Sequence, residues 1–490
     1  MNLFNRITRR NQNAIFNTHE AFAGVLLTTV AYRRRLQSAT ICARTAMSYQ
    51  MKRLHLRDVI LILSTACLLM SCDRKGPGAG NRWTGYPSLA SSTKTYRWLV
   101  VKCQLSDVPV IPAGLDTNIE QFFGISGAGY GNLVDYFHDV SYNHASVISD
   151  TFVGWIKAPF GTADLMRFPL ALDRKQRVVE CLEAIPTDKL PDLDAFYGVV
   201  VVNNAVQDGG AAGIGQQQMT INKKSYNLAC VWFDPNSLFT GFVGQEIAHG
   251  LGLDHSFDDS GRNCGGGPGE YCDAGDIMSA LGSYRFPDPN WVVGGNARGG
   301  GPGLNAPGLL RMGWIPGENQ RHFQNEGDEQ TFKIRALSRP RGTEPLVVIL
   351  DTGSQAPFEG LYTVEYRQAD GWDRGFVTSD VTGAIPPPAV QASGGTVLVY
   401  QFRLAGAPAS TLINGAFAGA LVPCNSMVLV GFGGVTFHIR VKSFDLADGS
   451  ATVSIGFGRE KFVPCFSDVV RNPGGIPLYR DVSHDTKIQP

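Results

Sequence analysis

Gly244-Gln245-Glu246-Ile247-Ala248-His249-Gly250-Leu251-Gly252-Leu253-Asp254-His255-Ser256 decides how the rest of the chain is read. Helical character over Ser237 to Gly250 puts Gln245 and His249 four positions apart, on one face and one turn above the other. Two donors at that spacing can chelate one metal ion. Glu246 stands beside the first donor, where its carboxylate can reach a water instead of the metal. Gly252 lets the chain stop being helical and turn, which brings His255 back towards the same point. Three protein donors with one open position is the design of a catalytic zinc site, in which bound water is acidic enough to attack near neutral pH. Further on, Tyr271-Cys272-Asp273-Ala274-Gly275-Asp276-Ile277-Met278-Ser279 places Met278 in a turn 23 positions after His255.

The pattern H-E-x-x-H-x-x-G-x-x-H followed by a Met-turn marks the metzincin metallopeptidases, and this chain resembles them at every marked position but the first, where Gln245 replaces His. The Q-E-x-x-H form looks like the gametolysin branch. Asp135-Tyr136-Phe137 with Val140-Ser141-Tyr142, and Gly303 to Pro307 with Gly313-Trp314-Ile315, resemble that group and the immune-inhibitor-A-like peptidases. The resemblance covers about residues 95–318, and the β-rich tail more loosely. It implies an α/β metzincin-like (zincin) catalytic domain with one catalytic Zn2+. Gln245, His249 and His255 would be its ligands, Glu246 the general base and Met278 an apolar floor beneath the metal. Ser256 after the third ligand is the matrixin-like choice. The implied activity is that of a zinc metalloendopeptidase acting on protein or peptide substrates. The rival is a catalytically attenuated peptidase-fold surface protein that binds protein or glycan, with Gln245 as the cause of attenuation.

Other candidates carry less. His138 and His144 precede the motif by about a hundred residues and read as helix-surface and turn residues. Asp258, Asp259 and Asp273 could take Ca2+, although loop acids are more often solvated charges. The glycines of Gly124 to Gly131 lack the strand–loop–helix context of a dinucleotide site.

Around the motif, Tyr96 to Cys103 and Val147 to Trp155 read as strands, and Leu165 to Ile185 as one long amphipathic helical region. Val199 to Val202 run without alternation, the mark of a strand covered on both faces. Gly209 to Gln218 reads as a loop. Beyond Pro316 helical periodicity stops. Thr331 to Ala336, Leu346 to Asp351, Leu361 to Arg367, Thr396 to Arg403, Met427 to Phe432, Val435 to Phe444 and Ala451 to Phe457 are short strands between turn residues. Such spacing argues for an all-β, sandwich-like C-terminal domain over 319–460, followed by a tail at 461–490.

The N-terminus is not fold. Residues 1–50 hold seven Arg, one acidic residue (Glu20) and no Lys, which fits a transit-like leader or a start codon assigned too early. A basic segment from Met51 to Arg57 and the uncharged run Val59 to Met70 then form a secretory signal over 51–72, too short to span a bilayer permanently. It closes on Leu69-Met70-Ser71-Cys72, which resembles the bacterial lipobox and makes Cys72 the lipidation site, a membrane lipid anchor. Residues 73–94 read as a linker. An exported lipoprotein of the cell envelope, or a secreted protein, is the expected location. Export permits disulfides. Cys264 and Cys272 flank a Gly-rich loop and are the first expected pair, Cys424 and Cys465 the second. With 43 basic against 43 acidic side chains, the chain lacks the basic excess of a nucleic-acid binder. The oligomeric state is not legible.

Overall fold

The computed structural model describes residues 93–457, except 130, 167–172, 208–209, 289–291, 294–295, 298, 324–328, 341, 352–360, 378–384, 404–409, 414–420 and 431–435. The described residues fall within one compact unit, Leu68–Pro490. The leader, the signal segment and Cys72 lie outside them, as do Cys465 and any pairing it makes with Cys424.

The chain folds as mixed α/β with several sheets. The first sheet holds β1 (Lys94–Gln104), β2 (Ala145–Lys157), β3 (Gly198–Asn203), β4 (Gly210–Ala212), β5 (Gln217–Ile221) and β6 (Lys224–Phe233). Its order is β2-β1-β3-β6-β4, with β5 also paired to β6. β2, β1, β3 and β6 run parallel, while β4 and β5 are antiparallel to β6. The unbroken valine run of β3 has a plain cause. Val200 and Val202 pack with Val243 and Ile247 of the helix Thr240–Gly250. Val199 and Val201 pack on the other face with Val178 and Leu182 of the helix Arg174–Glu183. Both faces are covered, so no polar alternation is needed.

Two expectations need correction. Gly209 to Gln218 is not all loop, because it contributes the edge strand β4 and the start of β5. Leu165 to Ile185 is not one helix. A short helix covers Thr162–Met166, and a second begins at Arg174, where the Asp173 side chain accepts from Gln176 N–H in an N-cap. The second helix is bonded to β1 through the Cys103–Cys181 disulfide, a pairing that no sequence pattern announced.

After the helix Thr240–Gly250 come β7 (Phe257–Asp258), β8 (Val292–Val293), β9 (Asn296–Ala297) and β10 (Gln320–Phe323). β11 (Gln330–Arg335), β12 (Val347–Asp351), β13 (Leu361–Gln368), β14 (Gly395–Phe402), β15 (Ser410–Leu412), β16 (Ser426–Val430), β17 (Thr436–Asp445) and β18 (Ser450–Phe457) follow. β8 and β9 pair only with each other, and the rest form two larger sheets, β10-β12-β13-β14-β15-β7 and β11-β18-β17-β16. Ile334, Val453 and Ile439 of the second sheet share one hydrophobic cluster with Val348, Val364 and Val399 of the first. The β-rich region also merges with what precedes it. Leu346, Val347, Ile349 and Phe402 belong to the same cluster as Val243 and Met278, and β7 pairs in parallel with β15.

Candidate active site

The helix Thr240–Gly250 is buried along nearly its whole length and approaches its neighbours closely at glycine. A Cβ at Gly250 would stand 2.6 Å from the Trp98 ring, and one at Gly244 would stand 2.7 Å from Ile277. These two positions let the helix lie directly on β1 and on the turn that holds Met278. Beyond the helix, Gly252 adopts φ +104°, a conformation open to glycine, and the chain reverses.

The reversal brings the donors together. The Gln245 amide lies 3.3 Å from His249 Nε2, and the His249 and His255 rings meet edge to face at 4.6 Å between centroids. His249 Nδ1 lies 2.7 Å from the Leu253 carbonyl, which cannot donate, so Nδ1 carries the proton and Nε2 keeps its lone pair. Burial above all, then the charge of His255, pushes the His249 pKa down to about 3, so this ring is neutral across the ordinary pH range. His255 Nδ1 lies 2.6 Å from the Glu270 carboxylate, and the Tyr271 hydroxyl lies 2.7 Å from His255 Nε2. The neutral ring satisfies both contacts in one way, with Nδ1–H donating to Glu270 and Nε2 accepting from Tyr271.

The spacing of the first two donors suits a divalent ion. Two donors at about 2.0–2.1 Å from a tetrahedral ion lie about 3.3–3.4 Å apart, the separation seen between Gln245 and His249. A half-turn of the Gln245 amide exchanges its nitrogen for the oxygen that would face the ion. Among the described residues no group of three or more His, Cys, Asp or Glu is placed to hold an ion. With one Gln and two His, the present set is of a different composition.

Glu246 is buried beside these donors. Burial pushes its carboxyl up to about 7, opposed by Arg174, by His255 and by a hydrogen bond from the Ala212 backbone on β4. Met278 is buried in the turn Ile277–Gly282, and its carbonyl accepts from Ser256 N–H at 3.3 Å. Two of the acids considered for calcium have different partners. Asp258 is held by Ser260 and Arg262, whereas Asp273 is buried and accepts from Ser256 Oγ, Gly275 N–H and the Tyr400 hydroxyl. Asn305 Nδ2 donates to Ser410 Oγ at 3.0 Å and faces Ser256 Oγ at 3.4 Å, which joins β15 to the residue after His255.

Cys264 and Cys272 are bonded, closing the loop that ends in Glu270 and Tyr271. Those two residues were not singled out in the sequence. Their signal was weak: they lie just before the second cysteine of a short closed loop that follows the third donor.

No family model matches the chain, and no curated protein matches it. Among solved structures, it matches a catalytically inactive OgpA from Akkermansia muciniphila in complex with an O-glycopeptide (glycodrosocin) substrate. The identity is 11%, covering 76% of this chain and 95% of that one, and the TM-score is 0.22. A likeness of that size carries neither fold nor activity over to this chain.

Proposed function

We propose that the chain is an exported zinc metalloendopeptidase with a metzincin-like catalytic domain and a C-terminal β-sandwich. The observation that carries this is the orientation of the two histidines. Each has its Nδ1 engaged away from the other ring, so His249 Nε2 faces the Gln245 amide, and His255 Nε2, which the Tyr271 hydroxyl now contacts, is the atom left to meet an ion. Gln245, His249 and His255 would hold the ion, and a bound zinc would supply an acidified water and polarise the scissile carbonyl. Glu246, held near neutrality by its buried position, would take the proton of the attacking water and pass it to the leaving amine. β4 is an edge of its sheet and its Ala212 backbone touches Glu246, so an extended peptide added along β4 would run past the base. One hydrophobic cluster shared by two sheets supports the sandwich. Two disulfides and the signal-like segment support export, and Cys72 would anchor the chain through lipid. Among the described residues no helix is long and apolar enough to cross a membrane.

The test is zinc content of the purified protein together with cleavage of a denatured protein. About one zinc per chain is expected, with Glu246→Ala keeping the metal and losing activity by on the order of 10²–10⁴. Zinc without cleavage would favour the attenuated binding protein, for which the Gln at position 245 is the supporting feature.

A further inference from the structure

The loop between Cys264 and Cys272 is bent back onto the segment that follows His255, and two of its side chains, Glu270 and Tyr271, reach His255 itself. Glu270 forms an antiparallel bridge with Phe257, two positions after His255, and Tyr271 N–H donates to the Ser256 carbonyl at 3.0 Å. Gly269 N–H donates to the Arg262 carbonyl, and Gly269 itself, at φ +77°, sits where a Cβ would stand 2.1 Å from the Asp258 carbonyl oxygen. Only glycine permits that approach. The two oxygens of Glu270 have separate partners. One faces His255 Nδ1 at 2.6 Å and the other accepts from Gly267 N–H at 2.6 Å. Tyr271 has φ +61°, a left-handed conformation that strains a bulky residue and that the surrounding pairing must hold. The adjacent Cys272 is buried in the disulfide.

We propose that Glu270 is the positioning residue for His255, and that the Cys264–Cys272 disulfide is the clasp that keeps Glu270 in place. The carboxylate fixes the ring orientation and the Nδ1–H form, so that Nε2, which the Tyr271 hydroxyl contacts at 2.7 Å, is the atom that would meet the ion once the hydroxyl gives way. This rests on His255 being a metal donor, as the reading above has it. The loop is long enough in glycine, with Gly265, Gly266, Gly267 and Gly269, to wander once the bond is opened. An oxidising compartment therefore does more than stabilise the fold: it completes the metal site. Reduction would loosen Glu270 and, through it, His255.

The experiment uses the full chain and zinc alone, with affinity read by competition against a chromophoric chelator. Glu270→Ala is expected to weaken zinc binding by about 10- to 100-fold, the usual loss when a partner of a metal-bound histidine is removed. Glu270→Gln keeps an oxygen of the same reach and is expected to recover most of that loss. Cys264→Ser with Cys272→Ser is expected to weaken zinc in the same direction, and to add little on top of Glu270→Ala because both act through one contact. Imidazole nitrogen shifts of the metal-free protein, at a pH where the ring is neutral, give a readout that needs neither zinc nor turnover. His255 is expected in the Nδ1–H form in the wild type and as a mixture in Glu270→Ala. Unchanged zinc affinity together with an unchanged His255 form in Glu270→Ala would overturn the proposal. Weakened zinc binding in a protein that cleaves nothing would leave the proposal standing and remove the peptidase reading. A wild type that binds no zinc, with His255 already protonated on Nε2, would remove both.

Discussion

The side-chain amide of Gln245 and the Nε2 of His249 stand 3.3 Å apart on one helix face, without an intervening residue. That is the separation of two neighbours around a single tetrahedral ion. A glutamine oxygen is as neutral as an imidazole nitrogen, so the site's formal charge does not change, but the amide is the weaker donor to zinc. Gln245→His is therefore expected to tighten zinc binding by about 10-fold and to preserve or raise activity. Chelator competition on both proteins checks this. Weaker binding in the variant would show that the face is shaped for an amide.

Tyr271 bears on the same equilibrium from the other side. Its hydroxyl sits on His255 Nε2 at 2.7 Å, the atom that an ion would need. A net hydrogen bond of about 0.5–1.5 kcal/mol must be given up on loading, so Tyr271→Phe should bind zinc about 2- to 10-fold more tightly. Binding that is weaker in the variant would mean that the phenol moves onto the ion instead of leaving it.

The buried Glu365 gives the fold a pH dependence of definite sign. Burial outweighs Arg367 and the Ala306 N–H and raises its carboxyl to about 7, above the 4.5 of an exposed glutamate. Below pH 4.5 both folded and unfolded chains hold the proton, and the group's contribution is fully present. As the pH climbs from 4.5 through about 7 the unfolded chain gives its proton to solvent freely, whereas the folded chain can do so only by leaving a buried carboxylate charged, and stability is lost. Between pH 5 and 8 the wild type should lose on the order of 3 kcal/mol through this group, a slope that Glu365→Gln removes. Urea midpoints at the two pH values measure it, and equal slopes in the two proteins would reassign the effect to other acids.

The two disulfides should separate stability from metal binding. Cys103–Cys181 closes a span of 78 positions between β1 and the helix Arg174–Glu183, in the core on the sheet face opposite the helix that carries Gln245 and His249. Its replacement by a pair of alanines should cost about 4 kcal/mol by loop-closure entropy and leave zinc affinity unchanged. The shorter Cys264–Cys272 span, 8 positions, should cost less, about 2–3 kcal/mol, yet weaken zinc. Denaturant unfolding and zinc titration on both variants test the contrast. A metal defect in the first pair would mean that the sheet itself strains when that bond is lost.

Local pattern in the sequence carried a good part of this. The four-residue step from Gln245 to His249 is a property of any helix, and Gly252 and His255 follow within six residues, so their convergence could be read before any fold was known. The strands beyond Pro316 were legible for the same reason, since β-formers between turn residues announce themselves over six or eight positions. The sheet edge at β4 was not. Gly210 and Ala212 have little strand character, and they pair because β6 offers an unfilled edge. The helix break before Arg174 depended on a cap formed by Asp173, which outweighed the amphipathic run around it.

What surrounds His255 only the tertiary structure decided. Glu270 is 15 positions away and Tyr271 is 16, and Ser256 meets Ser410 across 154 positions. Contacts of this kind obey no period, because they arise when separately folded segments are packed and each buried polar group must find a partner. The sequence by itself determined that Gln245, His249 and His255 lie along one helix and its following turn. Packing determined which way each ring faces, since that depends on acceptors brought in from elsewhere in the chain.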